Sequence, residues 1–564
     1  MGLFDDISLG TVLTETDRVV ALPRRSLTVD RRPWADATFR RPGATMATRE
    51  IQATALWEIS VVGGFFGPIA VGWGKTLICY LAPRALGVSR AVLLLPAPLL
   101  PNYEAESAKY EAGGFDAGSA SVTVVPYHQL SDPRCSALLE ELAPEAIIAD
   151  EVHNLRNAGA ARTRRFLRYM DAHPECRFVG MSGTMFGTSI GDGAHLAALA
   201  LRRGSPLPHP SSSHLGLWSH VLDEGAIPTS TESAYFHEVV TKTLLPDPDE
   251  RAGSMRGAAR RAAYLRIVET AGVVATSEPS CTLPLRVEKE ALRAPEECTD
   301  AAAVVMESWE LPNGDFVDSD AHAVAASRNL TAGFYYSWDW DAVGGRNDAW
   351  LLARAAWARA LRDELASSAR TGYDSPALVQ RSLDADILRD PTIVTRRYLH
   401  WAWDEWKRWQ EQQEPPPVVV TWISTYLLDD VTARYKNAPV IVWYSSSAIE
   451  DGLRERGWEV HGSEDETFLG PARPLAASIA VHGTGRNLQA WSHSVVLEPP
   501  ASGVTWEQLL GRMHRPGQAA SEVVCSVYAP GPASDGAISS ARRKALFLQD
   551  VQGQEQRLVK GWGH

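Results

Sequence analysis

Three short stretches of this chain carry residue types suited to handling a polyphosphate. Gly72-Trp73-Gly74-Lys75-Thr76 follows the apolar run Phe65–Val71 and leads into the helical pattern Leu77–Leu86. In that strand–turn–helix setting, glycines let backbone N–H groups approach phosphates at a helix N-terminus. The Lys then reaches the β- and γ-phosphates, and the Thr hydroxyl ligates Mg²⁺. ATP and Mg²⁺ are the ligands this predicts, with Gly72, Gly74, Lys75 and Thr76 as contacts, although Ile69 stands where the strict eight-residue pattern has Gly. The second stretch, Ala146-Ile-Ile-Ala149, ends in Asp150-Glu151. An Asp at the end of a strand can hold Mg²⁺ through water, and the adjoining Glu can orient or deprotonate an attacking water. The third is Gln508-Leu-Leu-Gly511-Arg512-Met-His514-Arg515-Pro-Gly517-Gln518, whose two arginines could be delivered to a phosphate. Each stretch alone is ordinary; the set is not.

The surrounding patterning supplies elements to hold them. Phe65–Val71, Ala91–Pro96, Ser121–Val125, Ala146–Ala149 and Phe178–Met181 read as strands separated by helical stretches, which predicts a parallel sheet in an α/β domain. Ser205–Ser213 reads as a loop, followed by helical material to about Val274. From about 290 to 415 the pattern turns to Ala, Arg, Trp and Leu at helical spacing, and Glu414-Pro-Pro-Pro417 ends it. Strand-like runs then return at Val440–Tyr444, Ser478–His482, Val495–Leu497 and Val523–Val527. The expected plan is α/β throughout: an N-terminal extension over 1–45, a first lobe over 46–280, a helical insertion over 281–417, a second lobe over 418–535 and a tail over 536–564.

Bulk properties bound the function classes. At 564 residues the chain can hold two or three domains, and 45% hydrophobic with 22% charged residues is ordinary globular composition. A net charge of -13 argues against a surface given over wholly to nucleic acid, but leaves room for a local basic groove. Six scattered cysteines without a CxxC pair favour reduced thiols over disulfides or a zinc site. The acidic start Met-Gly-Leu-Phe-Asp-Asp lacks the features of a signal peptide, and no apolar run is long enough to span a bilayer. A soluble, cytoplasmic monomer is expected.

At this point the motifs resemble a family. Asp150-Glu-Val-His-Asn-Leu-Arg-Asn157 resembles the DEAH-x-L-K-N motif of Swi/Snf-type ATPases of helicase superfamily two, and Gln508–Gln518 resembles that family's sixth motif. Between and around them lie collinear counterparts. They are Arg49-Glu-Ile-Gln52, Leu93–Pro96 with Asn102-Tyr103 and Glu106, Ser182-Gly183-Thr184, Val440–Tyr444 with His461-Gly462, and Gly483-Thr-Gly485-Arg486-Asn487-Leu488-Gln489. The resemblance covers about 49 to 518, and the Trp-rich insertion is most similar to helicase-like proteins of bacteriophages. It implies two tandem RecA-like lobes of the DEAD/DEAH-box type and an ATP-dependent DNA translocase or helicase, working in the host cytoplasm if phage-encoded. It assigns Glu151, Gln508, Arg512 and Arg515 to catalysis and Thr76 and Asp150 to Mg²⁺. Gln52 (against adenine) and Gly485 join Gly72, Gly74, Lys75 and Thr76 in ATP binding. Asn102, Ser182, Thr184, Thr484 and Asn487 fall to nucleic acid. Ile69-Ala70, Trp73, Met185 and Glu498 depart from the family's usual residues, and none has a phosphate, metal or finger role.

Alternatives from other classes are an RNA helicase of the same superfamily, and a recombination or replication accessory scaffold with weak ATPase. Arg162, Arg164, Arg165 and Arg168 read equally as a solvated helix face or a duplex contact. The Trp401–Trp409 run reads as packing or as base stacking.

Overall fold

Strands that are apolar at nearly every position are buried only between two layers of helix, and the central strands of both large sheets here are of that kind. The structure, a computed structural model, describes residues 14–26, 28–246, 254–276, 281–367, 373–389, 392, 394–463, 471–483 and 487–562. The first sheet holds β1 (Phe65–Gly67), β2 (Arg90–Leu95), β3 (Ser121–Pro126), β4 (Ala146–Asp150) and β5 (Arg177–Met181). All are parallel, in the order β1-β5-β4-β2-β3. Successive side chains point to opposite faces. Val92 and Leu94 of β2 therefore join one buried cluster with Ile147, while Ala91, Leu93 and Leu95 join another with Ile148. Because the strands are parallel, the 72–76 loop after β1 and Asp150-Glu151 at the end of β4 emerge on the same edge of the sheet.

The second sheet holds β6 (Leu285–Lys289), β9 (Val440–Tyr444), β10 (Val460–His461), β11 (Leu475–Ser478), β12 (His493–Val496) and β13 (Val523–Val527). It too is parallel, in the order β10-β11-β9-β12-β13-β6. Strand β9 again serves both faces, with Ile441 and Trp443 in one cluster and Val440, Val442 and Tyr444 in the other. Between β6 and β9, β7 (Phe334–Trp338) and β8 (Val418–Trp422) pair antiparallel as a ribbon. Phe334 roots the ribbon in the core of the second unit. From its far end project the helices Asp348–Ser367, Pro376–Asp384 and Val394–Gln412, an arm with its own core of Trp357, Val379, Leu383, Leu399 and Trp403.

Several boundaries differ from the sequence reading. The region 281–417 is not wholly insertion, since β6 within it is an edge strand of the second sheet. Its buried Leu285 and Val287 alternate with outward Arg286 and Glu288, a pattern easily lost among charged residues. The run Ser478–His482 is not a strand: β11 ends at Ser478, and Ile479–His482 form a helical turn. Residues 14–45 are no loose extension. Thr14 and Asp17 make a reciprocal capping box on helix Glu15–Ala21, whose Val19 is fully buried, as are Ala35 and Phe39 of helix Arg32–Phe39. Nor is 536–564 a tail. Helix Pro532–Gln552 crosses the expected boundary and packs on helix Met255–Val268 of the first unit and helix Gly503–Leu510 of the second. Among the described residues, no helix is long and apolar enough to cross a membrane.

A charged cleft between the two sheets

The loop after β1 reaches helix Lys75–Leu86 through Gly74, which sits in left-handed conformation at φ +76°. A Cβ there would run into the amide of Gln52, so the turn requires glycine on two counts. Gln52 accepts from the Arg49 backbone N–H at 2.8 Å and donates to the Gly74 carbonyl at 3.0 Å. One end of its amide thus caps helix Glu50–Val62 and the other braces the loop. Lys75 is the first residue of the helix, and its ammonium lies 3.3 Å from Glu151 Oε1.

At the end of β4 the chain turns sharply. Glu151 adopts left-handed backbone at φ +50°, uncommon for a residue with a side chain. Its N–H donates to Asp150 Oδ1 at 3.0 Å, and the Asp150 carbonyl accepts from the Tyr127 hydroxyl at 2.8 Å. The Glu151 carboxylate accepts from Ser182 Oγ at 3.0 Å, and Ser182 in turn lies 2.9 Å from His153 Nδ1. On the opposite side of the ring, His153 Nε2 is 3.3 Å from Gln508 Nε2 of the second unit. Since the Gln508 amide can only donate there, the ring carries its proton on Nδ1. A directed chain therefore runs from Gln508 through His153 and Ser182 to Glu151.

Helix Gly503–Leu510 aims the third motif at the same place. Its last turn is followed by Arg512, whose Nε donates to the Gln508 carbonyl at 3.0 Å, and then by Arg515. Both arginines line a cavity of about 340 Å³ together with Gly72, Gly74, Lys75, Thr76, Asp150, Glu151 and Gln508. Like charges of both signs crowd within it. Burial first, and then Arg515, push the Arg512 guanidinium down to about 10. Burial and Arg557 lower Arg515 as well. Burial and the adjoining Glu151 raise Asp150 to about 6 against the pull of Lys75. Glu151 falls below the usual carboxylate range: burial opposes this, but Lys75 and the hydrogen bonds from His153 and Ser182 prevail. One carboxyl is thereby ready to take a cation and the other is held ionised.

Asn102 and Asn487, expected on nucleic acid, line this cavity. Ser182 and Thr184, also expected on nucleic acid, are buried, and their hydroxyls face each other and His153. Gln52 braces the loop and does not line the cavity. Thr484 and Gly485 lie outside the described residues. The sequence reading missed His153 as a bridge between the units; its place between the acidic pair and Asn154 was the available signal. It also missed Tyr127 and Arg557, which no spacing marks. The Arg162–Arg168 stretch proves to be neither a free face nor open to a duplex throughout. Arg165 and Arg168 hold Asp374 of the arm, with Arg165 Nη2 at 2.8 Å and Arg168 Nη1 at 3.2 Å. In the Trp run, Trp403 packs against Trp357 and Trp406 against Trp350, whereas Trp401 is 50% exposed beside Tyr398.

Searched against protein families and curated proteins, the chain matches none.

Oxygen donors of the kind Mg²⁺ takes are present, since the Thr76 and Asp150 side chains face one cavity and Asp150 is poised between protonated and charged. These residues fit the ion.

Proposed function

We propose that the protein is a nucleic-acid-dependent ATPase of Swi/Snf-like type, a DNA translocase or helicase whose two α/β units act as RecA-like lobes. The observation that carries this reading is the meeting in one cleft of Lys75 and Glu151 from the first unit with Arg512 and Arg515 from the second. Glycine-loop N–H groups and Lys75 bind the phosphates, and Arg512 and Arg515 neutralise charge gathering on the transferring phosphoryl group. Thr76 and Asp150 would hold Mg²⁺, which when bound screens the phosphate oxygens.

Glu151 receives the attacking water. While it pairs with Lys75 it is too weak a base to take a proton, so it orients the water by accepting a hydrogen bond. A γ-phosphate that draws Lys75 away restores basicity to Glu151 at the moment of attack. The water oxygen bonds to phosphorus, the bond to the β,γ-bridging oxygen breaks, and ADP leaves as the water proton passes to Glu151 or phosphate. The Gln508–His153–Ser182 chain ties this carboxylate to the second unit, so separation of the units would disturb hydrolysis. A cycle of closure and opening is what can step along a strand. DNA as the track rests on the resemblance of Asp150–Asn157 and Gln508–Gln518 to Swi/Snf motors.

The test is ATP hydrolysis measured with duplex DNA, single-stranded DNA and RNA, with Lys75→Ala as control. DNA should stimulate turnover, and Lys75→Ala should abolish it. Stimulation by RNA alone would reject the DNA reading; undiminished turnover in Lys75→Ala would reject the ATPase reading.

A further inference from the structure

Behind the cleft, residues 553–557 touch both units within five positions. Helix Pro532–Gln552 ends at Gly553, in left-handed backbone at φ +69°, where a Cβ would collide with the ring of Tyr264 from the first unit. Gln554 is buried and donates through Nε2 to the carbonyl of Pro68, which lies between β1 and the phosphate loop. Three residues later the contacts belong to the second unit. The Arg557 N–H donates to Glu507 Oε2 at 2.8 Å, and its guanidinium pairs with the other oxygen of the same carboxylate. Arg557 Nε also lies 3.3 Å from both Nδ1 and the carbonyl oxygen of His514. His514 Nε2 donates to the Leu283 carbonyl at 2.7 Å, which leaves Nδ1 free to accept.

Glu507 and His514 stand next in sequence to the cleft-facing residues. Glu507 precedes Gln508 on the same helix, and His514 lies between Arg512 and Arg515. Arg557 therefore grips the segment 507–514 at both ends, while Gln508, Arg512 and the adjoining Arg515 line the cavity. Its charge acts in the same direction. It repels both forward arginines, while Glu507 anchors it so that it cannot relax away.

We propose that the segment Gln554–Arg557 is a strap that sets the reach of the two cleft arginines relative to the phosphate loop, with Arg557 as the positioning residue. This rests on the ATPase reading of the cleft. Arg557 does not touch the nucleotide cavity, so it acts on turnover through Arg512 and Arg515. Ground-state nucleotide binding, which rests on the loop and Lys75, is left alone. An arginine reaching the transferring phosphoryl group contributes on the order of 10³–10⁵ in rate. Misplacing it by about an ångström forfeits a substantial part of that.

The experiment compares full-length Arg557→Met, Arg557→Lys and Gln554→Leu with wild type. It measures kcat, KM for ATP, affinity for ADP, affinity for ADP with aluminium fluoride as a transition-state mimic, and Tm. Arg557→Met should lower kcat by at least tenfold with KM and ADP affinity changed less than threefold, and should lose the tighter binding of the mimic. Arg557→Lys, which keeps the charge, should recover part of kcat. Gln554→Leu, which breaks only the link to Pro68, should lower kcat about threefold at unchanged Tm, and serves if Arg557→Met does not fold. Normal kcat in Gln554→Leu together with normal kcat per folded molecule in Arg557→Met would overturn the strap, as would kcat and ADP affinity falling in parallel. A wild-type protein that hydrolyses no ATP under any condition would instead overturn the parent reading.

Discussion

The cleft and the helical arm both bury opposite charges brought from distant parts of the chain, but they finish the job differently. In the arm, Asp374 is almost wholly buried and its two oxygens take contacts from Arg165 and Arg168, while Arg165 also reaches the Leu130 carbonyl at 3.0 Å. That cluster is satisfied and has nothing left to offer a ligand. In the cleft, Arg512 and Arg515 crowd each other, Lys75 has one carboxylate at 3.3 Å, and Asp150 is destabilised as an anion. A buried charge cluster whose opposite charges are matched holds parts together, whereas one in which like charges crowd is suited to take up a ligand.

The largest contrast should come from truncating one member of each cluster. Arg512→Ala is expected to reduce turnover by about 10³-fold while leaving stability nearly unchanged, because it removes one of two repelling buried charges. Asp374→Ala should do the reverse. It strands two guanidiniums, and breaking a buried pair of this kind costs about 3–5 kcal/mol, seen as a lower Tm and faster amide exchange in the arm. ATP affinity should stay within a factor of two. Equal effects of both substitutions on Tm would erase the distinction between the two clusters.

A smaller contrast is in pH. The Asp150 value of about 6 lies above its ordinary 3.8, so the stability this carboxyl contributes is complete below about pH 4 and is lost as pH rises through 6. Asp150→Asn stays neutral and should exceed wild type by roughly 1–3 kcal/mol at pH 8, with little difference at about pH 3. Glu151 remains ionised over that whole window and does not confuse the comparison. If Asp150 holds Mg²⁺ as proposed, the ion must displace the Asp150 proton, so its affinity should rise with pH through the same range. A stability gain that is the same at pH 3 and pH 8 would mean Asp150 does not titrate between them.

The two regions were also unequally legible in the sequence. The proposed phosphate chemistry restricts residue types so tightly that Gly72–Thr76, Asp150-Glu151 and Arg512–Arg515 could be picked out before any fold was known, and residues of all three line one cavity. The apolar runs of β2, β4, β5, β9 and β13 announced themselves for the same kind of reason, since burial on both faces leaves little choice. Where several residue types will do, nothing was visible. Arg165 could be read as a solvated face because an ion-pair partner such as Asp374 can come from anywhere in the chain. Edge strand β6 hid behind its outward Arg286 and Glu288, and β7 and β8 behind the aromatic composition of the arm. Motif position assigns Asn102 and Asn487 to a strand of nucleic acid, and the structure adds only that both line the cleft beside Lys75 and Arg512, because order along the chain does not fix direction in space.

The smallest effect concerns Gln552, which sits on the strap side of the cleft and resembles neither cluster. Its side chain is 1% exposed, and among the described residues neither its amide nitrogen nor its oxygen has a hydrogen-bond partner. Leaving such groups unmade costs more than never having had them, so an apolar residue of similar size should fit better. Gln552→Leu is expected to raise stability by about 1 kcal/mol, or roughly 2–4 °C in Tm for a unit of this size. Because Gln552 lies one residue before the Gly553 turn, the substitution also tests what the incomplete bonding is for. If it is only imperfect packing, Tm rises and kcat is unchanged, which is the outcome expected here. A fall in kcat with the same rise in Tm would place Gln552 with the cleft, as a polar group kept unsatisfied for function. An unchanged or lower Tm would mean that the amide has partners after all, and that this end of the strap is as complete as the arm.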